Sequence, residues 1–197
     1  MLRPLLIALA LAAGAAGPAP AQTAPPPAPP PAGAAPGPAP LQPGDAFGVE
    51  VTLPARTIVF VKGAGTWDKA FDTVSAAFRV LNQYLAKEGI RPAGKAMAIY
   101  TKTDDTGFDF EAAVPVDAPP EKPPAEPAGT GPAPAGKALK FTHRGSFDAL
   151  NTTYEAITNH LDEKRLDAQD MFIEEYDGPL SDNPDDPLVV TIFVPIR

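Results

Sequence analysis

The chain has 197 residues, a formal net charge of −8, no cysteine and 27 prolines. The acidic balance repels phosphate backbones and anionic membrane surfaces, which argues against nucleic-acid binding. The missing thiols exclude disulfides, thiolate chemistry and a cysteine-linked lipid anchor, so stability must come from packing.

Met1-Leu2-Arg3, the apolar run from Leu5 to Ala13 and the small residues ending Ala19-Pro20-Ala21 follow the three-part pattern of a secretory signal peptide. The expectation is a leader over 1–21, cleavage after Ala21 and a periplasmic or secreted protein. Loss of Arg3 with the leader would take the charge from −8 to −9. The apolar run is shorter than the roughly 20 residues that a spanning helix needs, so membrane insertion is not expected. Residues 22–46 are nearly all Pro, Ala and Gly and read as a disordered linker. The remaining residues, 47–197, are enough for one domain with one core.

Inside that domain the sequence repeats itself. Gly65-Thr66-Trp67-Asp68 recurs 80 residues later as Gly145-Ser146-Phe147-Asp148. In both copies a glycine ends an apolar, strand-like run, a hydroxyl residue stands where it could cap a helix, and an aspartate falls where a first helical turn would be. The first helix carries Phe71, Val74, Phe78, Leu81 and Leu85, and the second Phe147, Leu150, Tyr154, Ile157 and Leu161, each set with 3, 4, 3, 4 spacing. Two β-rich runs follow each helix, Ala96–Thr101 with Phe108–Val116 and Met171–Tyr176 with Leu188–Ile196. Val114-Pro115-Val116 and Val194-Pro195-Ile196 keep the offset of 80. The economical architecture is an α+β fold of two pseudo-twofold-related β-α-β-β modules with a ligand cleft between them. Between the modules, the Pro-rich stretch 117–136 reads as an internal linker.

Gly65-Thr66-Trp67-Asp68, the run Ala135-Gly136-Lys137 leading to His143-Arg144-Gly145-Ser146-Phe147, the strand Phe172-Ile173-Glu174-Glu175-Tyr176 and the terminal Val194-Pro195-Ile196 together resemble the GyrI-like family. That family includes the effector-binding domains of bacterial transcription activators and stand-alone gyrase-inhibitory proteins, and the resemblance covers Val49 to Arg197. It implies a cleft for lipophilic, often cationic, small molecules, with a Glu two residues before a Tyr as its polar partner, here Glu174 and Tyr176. The sequence shows no helix-turn-helix pattern, so the resemblance implies the fold and the ligand but not a regulator's output. It also leaves open a hydrolase that uses Glu174 as general base, or an envelope protein-interaction module.

In a strand, Phe172, Glu174 and Tyr176 share one face, whereas Met171, Ile173 and Glu175 share the other. Both faces are half apolar, so alternation leaves open which glutamate points inward, and the resemblance favours Glu174. A carboxylate between aromatics would be relieved by a bound cation. Tyr100 corresponds to Tyr176 and Trp67 to Phe147, which makes Glu174, Tyr176, Tyr100, Trp67 and Phe147 the expected ligand-binding residues. Tyr154 is the less expected contact. His143 and His160 lack metal-ligand spacing and no nucleotide-binding motif occurs, so no metal or cofactor is expected. Asp182 to Asp186 reads as solvated loop.

Overall fold

A computed structural model describes residues 37–121 and 124–197. The expected leader and residues 22–36 of the expected linker lie outside the described residues. The secondary structure is β1 (Phe47–Leu53), β2 (Thr57–Thr66), a 3-10 turn (Trp67–Lys69), α1 (Ala70–Glu88), β3 (Met97–Thr103), β4 (Gly107–Val116), β5 (Ala128–Pro132), β6 (Gly136–Gly145), α2 (Leu150–Lys164), β7 (Phe172–Tyr176) and β8 (Leu188–Pro195). All eight strands form one antiparallel sheet, in the order β1-β6-β8-β7-β3-β4-β2-β5.

That order reads the same from either end once β6-α2-β7-β8 is laid on β2-α1-β3-β4. Strand register makes the correspondence specific. Val61 faces Ala112, and Phe141 faces Ile192, each 80 residues on. Ala98 faces Ala112 while Glu174 faces Ile192. The last strands therefore superpose at an offset of 80, whereas β3 and β7 superpose at 76, placing Ala96 on Phe172, Ala98 on Glu174 and Tyr100 on Tyr176. The pseudo-twofold axis runs through the central β3–β7 pair, where Ala98 and Glu174 face each other.

The first strand of each copy is exchanged. β1 pairs with β6 of the other half, and β5 pairs with β2. From Leu53 to Thr57 the chain makes four steps, a reach of at most about 14 Å. In a flat sheet β1 and β2 would stand six spacings apart, about 29 Å. The sheet must curl. Leu53 and Ala133 pack on its concave face against Ile58, Met97, Ile99, Ala113 and Ile173, and the Ala133 N–H donates to the Arg56 carbonyl at 2.8 Å. The two helices cover the opposite face. Val74, Phe78, Leu81 and Leu85 of α1 and Leu150 and Ile157 of α2 are buried there with the inward residues of every long strand. These members of both apolar stripes are thus core.

The structure corrects three details. The stretch 117–136 is not simply a linker, because it contains β5, whose Thr130 hydroxyl also donates to the Ile58 carbonyl at 3.0 Å. Residues 37–46, expected to belong to the disordered linker, lie against β6. Arg144 holds Asp45 through two hydrogen bonds of 2.8 and 2.9 Å, and the Ala39 N–H donates to the Arg144 carbonyl at 2.7 Å. A bidentate guanidinium–carboxylate pair is a strong anchor for a chain with little apolar surface of its own. Finally, α1 begins at Ala70 and α2 at Leu150, so Thr66 and Ser146 stand too early to be their N-caps. Ser146 still accepts the Ala149 N–H at 3.3 Å, but Thr66 makes no capping bond.

Candidate functional site

A cleft of about 480 Å³ lies over the central strands, between the two helix N-termini. Such a volume suits a drug-sized ligand. Its walls come from both copies of the repeat: Trp67 to Asp72 ahead of and within α1, Phe147, Asp148, Leu150, Asn151 and Tyr154 around α2, and Tyr100, Phe172 and Glu174 from the sheet. Phe71 meets Phe147 edge to face, with ring centroids 5.3 Å apart, and Trp67 packs on Phe108 at 4.8 Å. The indole N–H of Trp67 donates to the Asp104 carbonyl at 2.7 Å, which fixes the ring while leaving it 42% exposed.

Glu174 forms the floor. It is 2% exposed and on the helix side of the sheet, whereas Glu175 lies on the other face, 3.7 Å from Lys95. Three tyrosines converge on the one carboxylate. Tyr154 donates to Oε1 at 2.6 Å, Tyr100 donates to Oε2 at 3.2 Å, and Tyr176 donates to Oε2 as well. No lysine, arginine or histidine among the described residues makes an ion pair with it. Burial pushes the Glu174 carboxyl above the usual range, while the three phenol hydroxyls pull it partly back. The same burial and the adjacent carboxylate raise all three phenols well above their ordinary value, so they remain neutral donors.

Pseudo-symmetry explains why there is one carboxylate. Its symmetry mate and cross-strand neighbour is Ala98. A glutamate there would set two carboxylates against each other, and one of them would stay protonated. Alanine keeps a single charge on the axis and gives the three hydroxyls room to reach it.

Of the expected site residues, Glu174, Tyr100, Trp67 and Phe147 line the cleft. Tyr176 does not. It is 3% exposed, covered by Phe78, and grips Glu174 from behind the floor. Tyr154, the less expected contact, both lines the cleft and makes a short bond to the carboxylate. Phe172 also lines it, stacked on Tyr100 at 4.3 Å and against Tyr154 at 4.9 Å. The signals for both were present, since Tyr154 continues the Phe147 and Leu150 stripe and Phe172 shares the face of Glu174. His143, 1% exposed, sets the turn before α2. Its Nε2–H donates to the Ser146 carbonyl at 3.1 Å, and its Nδ1 accepts from Thr153 at 2.7 Å, the tautomer being fixed by the carbonyl. It thereby holds the residues next to Phe147 and Tyr154.

A raised folded-state pKa means that native Glu174 binds its proton more tightly than the unfolded chain does. Ionised Glu174 therefore opposes folding above its folded pKa, and the opposition is relieved as pH falls toward the ordinary carboxylate value. Urea unfolding should show Glu174→Gln more stable than the parent at pH 8, with the difference shrinking toward pH 4.5. A difference independent of pH would mean that burial does not raise the Glu174 pKa above its value in the unfolded chain.

The chain matches the GyrI-like small molecule binding domain over residues 49–197. It belongs to the GyrI-like family. Among solved structures, the isolated C-terminal domain of EcmrR aligns with a TM-score of 0.59 at 13% identity, over 77% of this chain and 98% of that one. For EcmrR in its complex with DNA the TM-score is 0.64 at 12% identity, and this GyrI-like chain spans 57% of that longer one. SAV2435 bound to tetraphenylphosphonium aligns with a TM-score of 0.55 at 14% identity, over 77% and 94% of the two chains. A hydrolase from Listeria innocua gives 0.53 at 12%, over 78% and 93%. At these identities the likeness is one of fold. No curated protein matches the sequence.

Proposed function

We propose that this GyrI-like chain is an exported binding module that captures lipophilic organic cations, with Glu174 as counter-charge. The observation that carries the reading is a buried carboxylate, held by three neutral hydroxyls and without a cationic partner, at the floor of an aromatic cleft. A positive ligand supplies the missing charge. Each aromatic face it meets adds roughly 0.5 to 2 kcal/mol. Asp68, Asp72 and Asp148 against Lys69 on the cleft wall bias its field the same way. Tetraphenylphosphonium, to which SAV2435 is bound in its solved structure, is a compound of this class.

Trp67 is the single tryptophan of the chain and stands in the cleft, so its fluorescence reports occupancy. Tetraphenylphosphonium should change it saturably, and neutral triphenylphosphine oxide should bind more weakly. Equal binding of the two, or no saturable change, would sink the cation reading. The rival is a hydrolase in which Glu174, its pKa raised by burial, acts as general base beside the cleft-facing Tyr154 hydroxyl. Consumption of an electrophilic ester or epoxide, followed by mass spectrometry and abolished in Glu174→Gln, would establish it.

Export is the second part of the proposal and rests on the leader pattern of 1–21. With the net charge of −8, it favours ligand capture outside the cytoplasm over action on DNA. Mass spectrometry of the native protein should find Gln22 at its terminus. A predominantly intact Met1 terminus would refute export.

A further inference from the structure

Beside the pseudo-twofold axis the two halves differ in bulk at Ala96 and Phe172, and a pocket opens at the smaller residue. In the second half Phe172 lies between Tyr100 and Tyr154, with centroids at 4.3 and 4.9 Å. Register places Ala96 at the same position in the first half. Next to Ala96 is a pocket of about 160 Å³, partly open to solvent and lined by Ser75 and Phe78 of α1, by Tyr176, and by Leu180 and Asp182 of the β7–β8 loop. It shares no lining residue with the cleft. Tyr176 turns its hydroxyl to Glu174 and its ring to this pocket, where Phe78 meets it edge-on at 5.5 Å.

The pocket has the size and the chemistry of a missing ring. A space of about 150 Å³ is large enough for a benzene ring. The wall also carries an unsatisfied polar group, since the Ser75 hydroxyl is the one buried side-chain N or O atom among the described residues without a hydrogen-bond partner. Such groups favour an occupant able to pair with them. At the rim Arg79 and Asp182 face each other at 3.9 Å, so the entrance presents balanced charge. We propose that this pocket is a second ligand site, which binds a neutral single-ring phenol. Its ring takes the place that Phe172 fills in the other half, and its hydroxyl pairs with Ser75.

The test is a fluorine-NMR titration of the full chain with 4-fluorophenol. Saturable binding is expected, with cross-relaxation from the ligand ring to Phe78 and Tyr176. Ala96→Phe restores the ring that the first half lacks and should weaken binding by about tenfold or more, as overfilling a packed site does. Ser75→Leu, a second filling variant, should act likewise, with near-ultraviolet circular dichroism confirming that each variant is folded. 4-Fluorotoluene should bind roughly fivefold more weakly than the phenol, the effect of one hydrogen bond, and Ser75→Ala should remove that difference. The proposal is overturned by any of three results: no saturable binding, undiminished binding in both filling variants, or contacts confined to Trp67 and Phe147 of the cleft. Equal affinity for phenol and toluene would overturn the role of Ser75.

Discussion

Glu174→Gln is expected to weaken tetraphenylphosphonium binding by about 1 to 3 kcal/mol, roughly five- to 150-fold, the range of a charge-assisted contact. Glutamine keeps the shape of the side chain and can still meet the three tyrosine hydroxyls, so the change isolates the charge. Triphenylphosphine oxide, which carries none, should bind the variant nearly as it binds the parent. The fold should survive and gain stability at neutral pH, because a carboxylate that burial disfavours has been removed. In the parent, cation affinity should decline as pH falls through the raised Glu174 pKa, since protonation does reversibly what the substitution does permanently; in Glu174→Gln the decline should vanish. Calorimetric titration at several pH values checks both. If Glu175→Gln rather than Glu174→Gln loses the cation, the site lies on the other face of the sheet. If neither does, the cation is not held by a glutamate of the sheet.

Which parts of this arrangement are visible in the sequence follows from how each residue is packed. The offset of 80 between the halves survives because both copies build the same strand, turn, helix and strand pair, and it yields the fold. The inward glutamate is not visible from alternation. The sheet is buried on both faces, by the helices on one side and by the Leu53 and Ala133 crossings on the other, so Ile173 is as apolar as Phe172. Tyr176 shares the face of Glu174 yet misses the cleft because Phe78 of α1 covers it, a tertiary fact that strand periodicity does not carry. Tyr154 shows the converse. Helical spacing puts it on the inner stripe, and only the position of α2 over β7 turns a core residue into a ligand of the carboxylate.

Replacing residues 124–135 by an equal number of Gly and Ser is expected to destabilise the protein by about 3 to 5 kcal/mol, although composition reads this stretch as a linker. Gly129 of β5 is there for contact. Phe60 of β2 lies over the strand, and a Cβ added at Gly129 would stand 2.5 Å from its ring. Pro132 ends the strand, a position where a proline costs little pairing. The offset of 80 also carries Phe47–Leu53 onto 127–133, so β5 is the second copy of β1 by position as well as by its exchanged pairing. Removing its pairing frees one edge of β2 and uncovers Ile58 and Phe60, each worth roughly 1.5 to 3 kcal/mol when fully buried. Against this stands only the ordering entropy recovered by a short segment, and loop closure is unchanged at equal length. Urea unfolding should show a lower midpoint in the replaced chain, and Gly129→Val should reproduce part of the loss, about 1 to 3 kcal/mol, by overpacking Phe60. An unchanged midpoint in both would mean that β5 contributes nothing and that the exchange of first strands is an accident of chain path; loss in the replacement alone would place the stabilisation in the ladder and not in the Phe60 contact.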